Sequence, residues 1–129
     1  MAGLAEAKKV SLLDKDADVL SRAVSRLSDL WKLTNGQVGQ VIGLSAPTIS
    51  RLRSGSVHLE RGTKPFELAQ YLVRLFRSLD SLTGSDDEAA ISWLRTENMD
   101  LNGRPIDLIR TVKGLSEVTN YVDDFRARV

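Results

Sequence analysis

The sequence predicts an all-α protein of two lobes joined by a central helix. Apolar residues recur at steps of three and four through nearly every segment, and alternating β-branched runs are scarce. Proline, glycine and small polar residues fall where helices start and stop. With 129 residues, 42% of them apolar, the chain can bury one ordinary core or two small cores sharing an interface.

Residues 1–15 read as a flexible or loosely ordered N-terminal arm. A first helix is expected from Asp16 to Leu33, with Val19, Leu20, Ala23, Val24, Leu27, Leu30 and Trp31 on one stripe. Thr63 followed by Pro65 marks the start of the central helix, which runs to Leu82 and is apolar on most sides. Gly84 stops it. Ser85-Asp86-Asp87-Glu88 reads as a capping box, so another helix begins at Asp86 and buries Ala89, Ala90, Trp93 and Leu94 before ending near Thr96. Asn102-Gly103 makes a turn and Pro105 launches the next helix. Gly114 is expected to end that helix with positive φ. Ser116 then caps a last helix whose stripe is Val118, Tyr121, Val122 and Phe125.

Between the first and central helices, Val38, Ile42, Leu44, Ile49 and Leu52 have the spacing of a core shared by two short helices crossing at a turn. Gly39 permits close approach of those helices, Gly43 supplies the left-handed turn residue, and Ser45 caps the second helix. This is a helix-turn-helix pattern over residues 16–62. Charge agrees with it. Residues 22–77 hold nine basic and three acidic side chains, whereas residues 78–129 hold six and ten. The middle of the chain suits a polyanion and the C-terminal part does not.

The segment Gly43-Leu44-Ser45, followed by Thr48-Ile49-Ser50-Arg51 and Gly55, resembles the Xre and phage-repressor class. That resemblance implies a second helix in the DNA major groove, with Ala46, Pro47, Thr48, Ser50 and Arg51 facing base edges. Arg51 suits a bidentate contact to guanine, and Ala46 and Pro47 an apolar contact to a thymine methyl. Thr34, Gln37, Ser45 and Arg53, with Arg61 and Lys64, are the expected phosphate contacts. Asn35 departs from the class, which often has glutamine there. Gly36 weakens its helix by about 1 kcal/mol relative to alanine.

Trp93-Leu94, the Leu101-Asn102-Gly103-Arg104-Pro105 turn and the run Asp107-Leu108-Ile109 to Gly114 resemble the toxin-binding domain of the Xre/MbcA/ParS antitoxins. The likeness covers about residues 60 to 129, with the toxin-binding domain expected over residues 63–129. It implies an antitoxin of a type II toxin–antitoxin system. The implied partner is a RES-domain toxin that consumes or transfers part of NAD, neutralised by covering its active site, with the operon repressed through operator DNA. Arg104, Asp107, Arg110 and Lys113 are the expected exposed docking positions, and Trp93 a rigid apolar surface. The terminal segment with Tyr121, Asp124, Phe125, Arg126, Arg128 and Val129 is short, mixed in charge and able to enter a cleft. A pyrophosphate pocket would attract the Val129 carboxylate or Asp123 and Asp124, a catalytic glutamate Arg126 or Arg128. A helix packed only on its own lobe is the alternative.

An enzymatic role is not expected, because phosphate loops and nucleophile motifs are absent and there is no cysteine. No cofactor or metal is expected. His58 is the sole histidine, and Asp86, Asp87 and Glu88 are better explained as charges favoured at a helix start. With no apolar run of membrane-spanning length and no secretion-signal pattern, a cytoplasmic protein is expected, and a homodimer because a single DNA half-site offers few contacts. The rival readings are a stand-alone repressor with a C-terminal dimerisation lobe, and an enzyme-inhibitor or scaffold module whose helix-turn-helix no longer touches DNA.

Overall fold

The computed structural model describes the backbone of residues 4–128 and the side chains of residues 16–128. The described residues form seven helices: α1 (Leu4–Leu30), α2 (Asn35–Ile42), α3 (Ala46–Ser54), α4 (Lys64–Leu82), α5 (Asp87–Arg95), α6 (Pro105–Leu108) and α7 (Val112–Arg128). The fold is all-α, as the sequence predicts. The only strand-like pairing among them is an isolated bridge between Asn98 and Gly103.

Helix α4 stands at the centre, packed against α1 and α2 on the N-terminal side and against α5 and α7 on the C-terminal side. Its Phe66, Ala69, Leu72, Val73, Leu75 and Leu79 are all buried. Thr63 caps it, accepting from the Phe66 amide at 3.4 Å, with Pro65 in the first turn. The Trp31 ring is buried at the end of α1 and meets Phe76 of α4 at 5.3 Å between centroids, tilted by 51°. Within α1, Ser21 and Ser28 are buried but return their hydroxyl hydrogens to carbonyls one turn back, at 2.7 and 2.6 Å. Such back-bonding makes serine tolerable inside a helix that faces a core. Ser21 also accepts from the Leu59 amide at 2.9 Å, which ties down the loop ahead of α4.

Several boundaries differ from the sequence reading. Helix α1 begins at Leu4 rather than Asp16, taking in most of the residues expected as an arm, and ends at Leu30 because Lys32 turns left-handed at φ 54°. Val19, placed on the apolar stripe, is 55% exposed. Asp86, not Ser85, caps α5. Ser85 sits at φ 62°, outside the extended region an N-cap needs, and its hydroxyl pairs with Asp80 at 3.0 Å. Asp86 is extended and accepts from the Ala89 amide at 3.1 Å, and Ala89 itself is exposed.

The largest correction lies near Gly114, which does not end a helix. Helix α6 closes at Leu108, and the chain turns immediately into α7, so Ser116 lies inside α7 rather than at its cap. Thr111 takes the capping role, its Oγ1 accepting from the Gly114 amide at 3.0 Å and its carbonyl from the Leu115 amide at 2.9 Å. Gly114 is buried in the first turn of α7, where an added Cβ would lie 1.8 Å from the Leu108 carbonyl oxygen. Glycine is needed there for close approach of two helix ends, not for its backbone freedom.

Gly114→Ala therefore tests this junction. Helix propensity alone would favour alanine by about 1 kcal/mol. Because the Leu108 carbonyl must be displaced, the variant is expected instead to lose roughly 1–3 kcal/mol, read as a lower urea midpoint at unchanged slope.

Candidate DNA and protein interfaces

The helix-turn-helix is built as its residues require. Val38, Ile42, Ile49 and Leu52 are buried between α2 and α3, while Leu44 is partly exposed. Gly43 turns the chain at φ 80°, and a Cβ on Gly39 would stand 2.2 Å from the Leu44 carbonyl oxygen. Both glycines thus act as the pattern predicts. Ser45 caps α3 by accepting from the Thr48 amide at 3.3 Å.

The exposed start of α3 brings Ala46, Pro47, Ser50 and Arg51 to one surface, with Thr48 partly covered. Thr48 links its neighbours. Its hydroxyl lies 2.8 Å from that of Ser45 and accepts from Arg51 Nη2 at 3.2 Å. The guanidinium of Arg51 is therefore steered before anything binds. Thr34 and Gln37 form a reciprocal capping box at the start of α2, each side chain accepting from the other's amide, at 3.1 and 2.9 Å. That leaves the Gln37 amide NH2 as a donor to solvent or an anion.

Arg53 behaves differently from its sequence reading as a phosphate contact. Its guanidinium is turned inward, donating to the Leu33 carbonyl at 3.1 Å, to Asn35 Oδ1 at 3.0 Å and to Asp29. One side chain thereby fastens the end of α1, the start of α2 and the end of α3. Asn35, which departs from the class pattern, supplies one of these acceptors. Two other expected phosphate contacts are also paired: Arg61 with Asp16 at 2.9 Å and Lys64 with Glu67 at 3.3 Å. His58 is exposed, 3.7 Å from Asp18.

In the C-terminal lobe, Trp93 of α5 stacks on Tyr121 of α7, with centroids 6.4 Å apart and planes at 19°. Tyr121 in turn meets the Phe125 ring edge-on at 4.9 Å, and the Arg128 guanidinium lies 6.0 Å from the Phe125 centroid. These four residues form a row, with Phe125 41% exposed although the sequence placed it on the apolar stripe. The Tyr121 hydroxyl donates to Asp100 at 2.8 Å. Partial burial, then the hydrogen bond to Asp100, pushes its phenol above the ordinary value of 10.0. Asp100 was not singled out from sequence, since its partner lies 21 residues away. The Asn98 to Gly103 turn that carries it is held by paired amides at 2.9 and 3.2 Å.

The other expected docking residues separate. Arg104 pairs with Asp107 at 2.8 Å and Lys113 with Glu117 at 3.8 Å, all on the surface of α6 and early α7. Arg110 is exposed beside α2, and Asp124 is exposed on α7. Arg126 lies apart from the aromatic row, lining a cavity of about 910 Å³ with Leu20, Val73 and Arg77. Asp123 is a structural anchor, holding Arg74 and Ser78 of α4 at 2.5 Å each. Val129 lies outside the described residues.

Residues 16–74 match the family described as the antitoxin Xre-like helix-turn-helix domain. Residues 78–128 match the antitoxin Xre/MbcA/ParS C-terminal toxin-binding domain. The chain belongs to the Xre/MbcA/ParS-type antitoxins. The two matches meet inside α4, where the sequence reading put the division at its start. A comparison with curated proteins gives no significant match. Both matched domains are binding domains rather than catalytic ones, so this antitoxin acts by holding partners: a toxin through the C-terminal domain and DNA through the helix-turn-helix. Among the described residues, no helix is long and apolar enough to cross a membrane.

Arg53→Ala should separate architecture from recognition. Loss of three acceptors' partner is expected to cost roughly 1–3 kcal/mol of folding stability, measured by denaturant unfolding, because Asn35 and the Leu33 carbonyl are only partly reached by water.

Proposed function

We propose that the chain is the antitoxin of a type II module whose toxin is a NAD-consuming RES-domain protein, and that it represses its own operon as a cytoplasmic homodimer. The observation that carries the toxin half is the Trp93, Tyr121, Phe125 and Arg128 row. Rigid aromatic surface beside an arginine, on a domain of the toxin-binding family, has the composition of an interface anchor. Arg104, Asp107, Lys113 and Asp124 are exposed charges of the same domain available to the toxin, Arg110 lies on the side facing α2, and the end of α7 with Arg126 covers the toxin's active-site entrance. Because α7 is helical through Arg128, a covering role falls to a helix end rather than to a loose strand.

On DNA, the start of α3 enters the major groove. Arg51, steered by Thr48, takes a guanine edge, while Ala46 and Pro47 face a thymine methyl and Ser50 an adjacent polar edge. Thr34, Gln37 and Ser45 mark helix starts whose amides and side chains meet phosphates. Arg53 stays in its clamp. One half-site offers few such contacts, so two copies on a near-palindromic site are required.

Co-expression with the product of the adjacent reading frame tests the toxin half. That product should be lethal alone, harmless with the antitoxin, and recovered bound to it; a neighbour that ignores the chain and still kills removes the reading. Deleting residues 126–129 is expected to restore NAD loss in such cells, and full protection by the shortened chain rules out the covering role of the tail. For the DNA half, Arg51→Ala should weaken operator binding by roughly 1–3 kcal/mol and relax one base position in a mobility-shift series.

A further inference from the structure

We propose that the toxin-binding lobe itself grips DNA, Arg95 and Arg110 extending the phosphate-contacting surface around the start of α2. The proposal rests on the helix-turn-helix binding DNA as described above. In that geometry the first helix of the pair crosses the phosphate backbone, and the free amides at its start favour an anion.

Two separate features bring the C-terminal lobe to that edge. The last residue of α5, Arg95, donates from Nη2 to the Lys32 carbonyl at 3.4 Å, two residues before the α2 cap. Its guanidinium therefore stands beside exposed Lys32 at the entrance to α2. Independently, α6 and the turn after it share a small cavity with α2. Ile106, Asp107, Ile109 and Arg110 line a small cavity together with Gln37 and Gln40, which places Arg110 next to the first turn of α2.

The local charge balance favours an anion there. Asp29 is engaged by Arg53, and Asp107 is engaged by Arg104 at 2.8 Å. Lys32, Arg95 and Arg110 are all exposed and have no ion-pair partner among the described residues. By contrast Arg53, Arg61 and Lys64, the cations that the sequence pattern nominates for phosphates, are each paired within the protein. The unpaired charge at the α2 edge thus comes from Lys32 and from two arginines of the other lobe. Such contacts carry no base information, because they meet the sugar-phosphate backbone alone.

The test measures affinity against salt for the full chain on two duplexes, the region upstream of its own coding sequence and a mixed-sequence control. The R95A/R110A variant is expected to bind both more weakly by the same factor. Its slope of log affinity against log salt should be shallower than wild type by about 2, each lost phosphate contact contributing about 0.9. R110A alone, at a residue with no ion-pair partner among the described residues, should flatten it by about 1, and R95K/R110K should restore the slope. R51A is the contrast: it should lose preference for the upstream duplex and keep the slope nearly unchanged. A wild-type slope in both R110A and R95A/R110A overturns the inference, as does weakening confined to the upstream duplex. If wild-type protein binds neither duplex, the DNA-binding reading itself falls.

Discussion

Helix α4 carries buried side chains toward both lobes, and neither lobe can close its core without it. Ala69, Leu72 and Leu75 are fully removed from water, and Phe76 receives Trp31 from the end of α1. Burial at about 25 cal/mol per Å² makes such a shared wall worth more than any single polar contact in the molecule. It also means that the two family domains meet inside one continuous helix rather than across a linker. A helix of 19 residues with one hydrogen-bond ladder does not bend freely, so the DNA-facing and toxin-facing surfaces hold a fixed relation.

Polar side chains then set the angles that apolar burial leaves loose. Asp123 grips Arg74 and Ser78, fixing the register of α7 on α4 at the point where α7 leaves the core. Arg53 does the same for the three helices of the DNA-binding half. In both cases a charged side chain that reads as available surface in the sequence is occupied inside the fold. The charges left over, among them Arg51, Arg95 and Arg110, are the informative ones.

Local chemistry was the legible part of this protein. Thr63 with Pro65, Ser45, Gly39 and Gly43 each act through atoms within a few residues, so their roles follow from residue type and spacing. The failures share a cause as well. Ser85 and Asp86 are adjacent and equally able to cap, and the left-handed backbone forced by the preceding turn decides between them. Gly114 satisfies a helix-ending pattern, yet its neighbour is a carbonyl six residues earlier that only the α6 to α7 corner brings within contact.

Fold class and the crossing helices were thus determined by sequence alone, because each rests on periodicity or short-range bonding, while the order of the two binding domains came from the resemblance of their motifs to the antitoxin family. Tertiary structure decided which cations are spent on internal pairs, which aromatics line up, and which lobe stands beside the start of α2. Those outcomes depend on contacts such as Arg53 with Asp29, Tyr121 with Asp100, and Arg95 with the Lys32 carbonyl, whose partners are 24, 21 and 63 residues apart. Chain distance of that length carries no spacing signal. Packing around α4 alone brings such partners together.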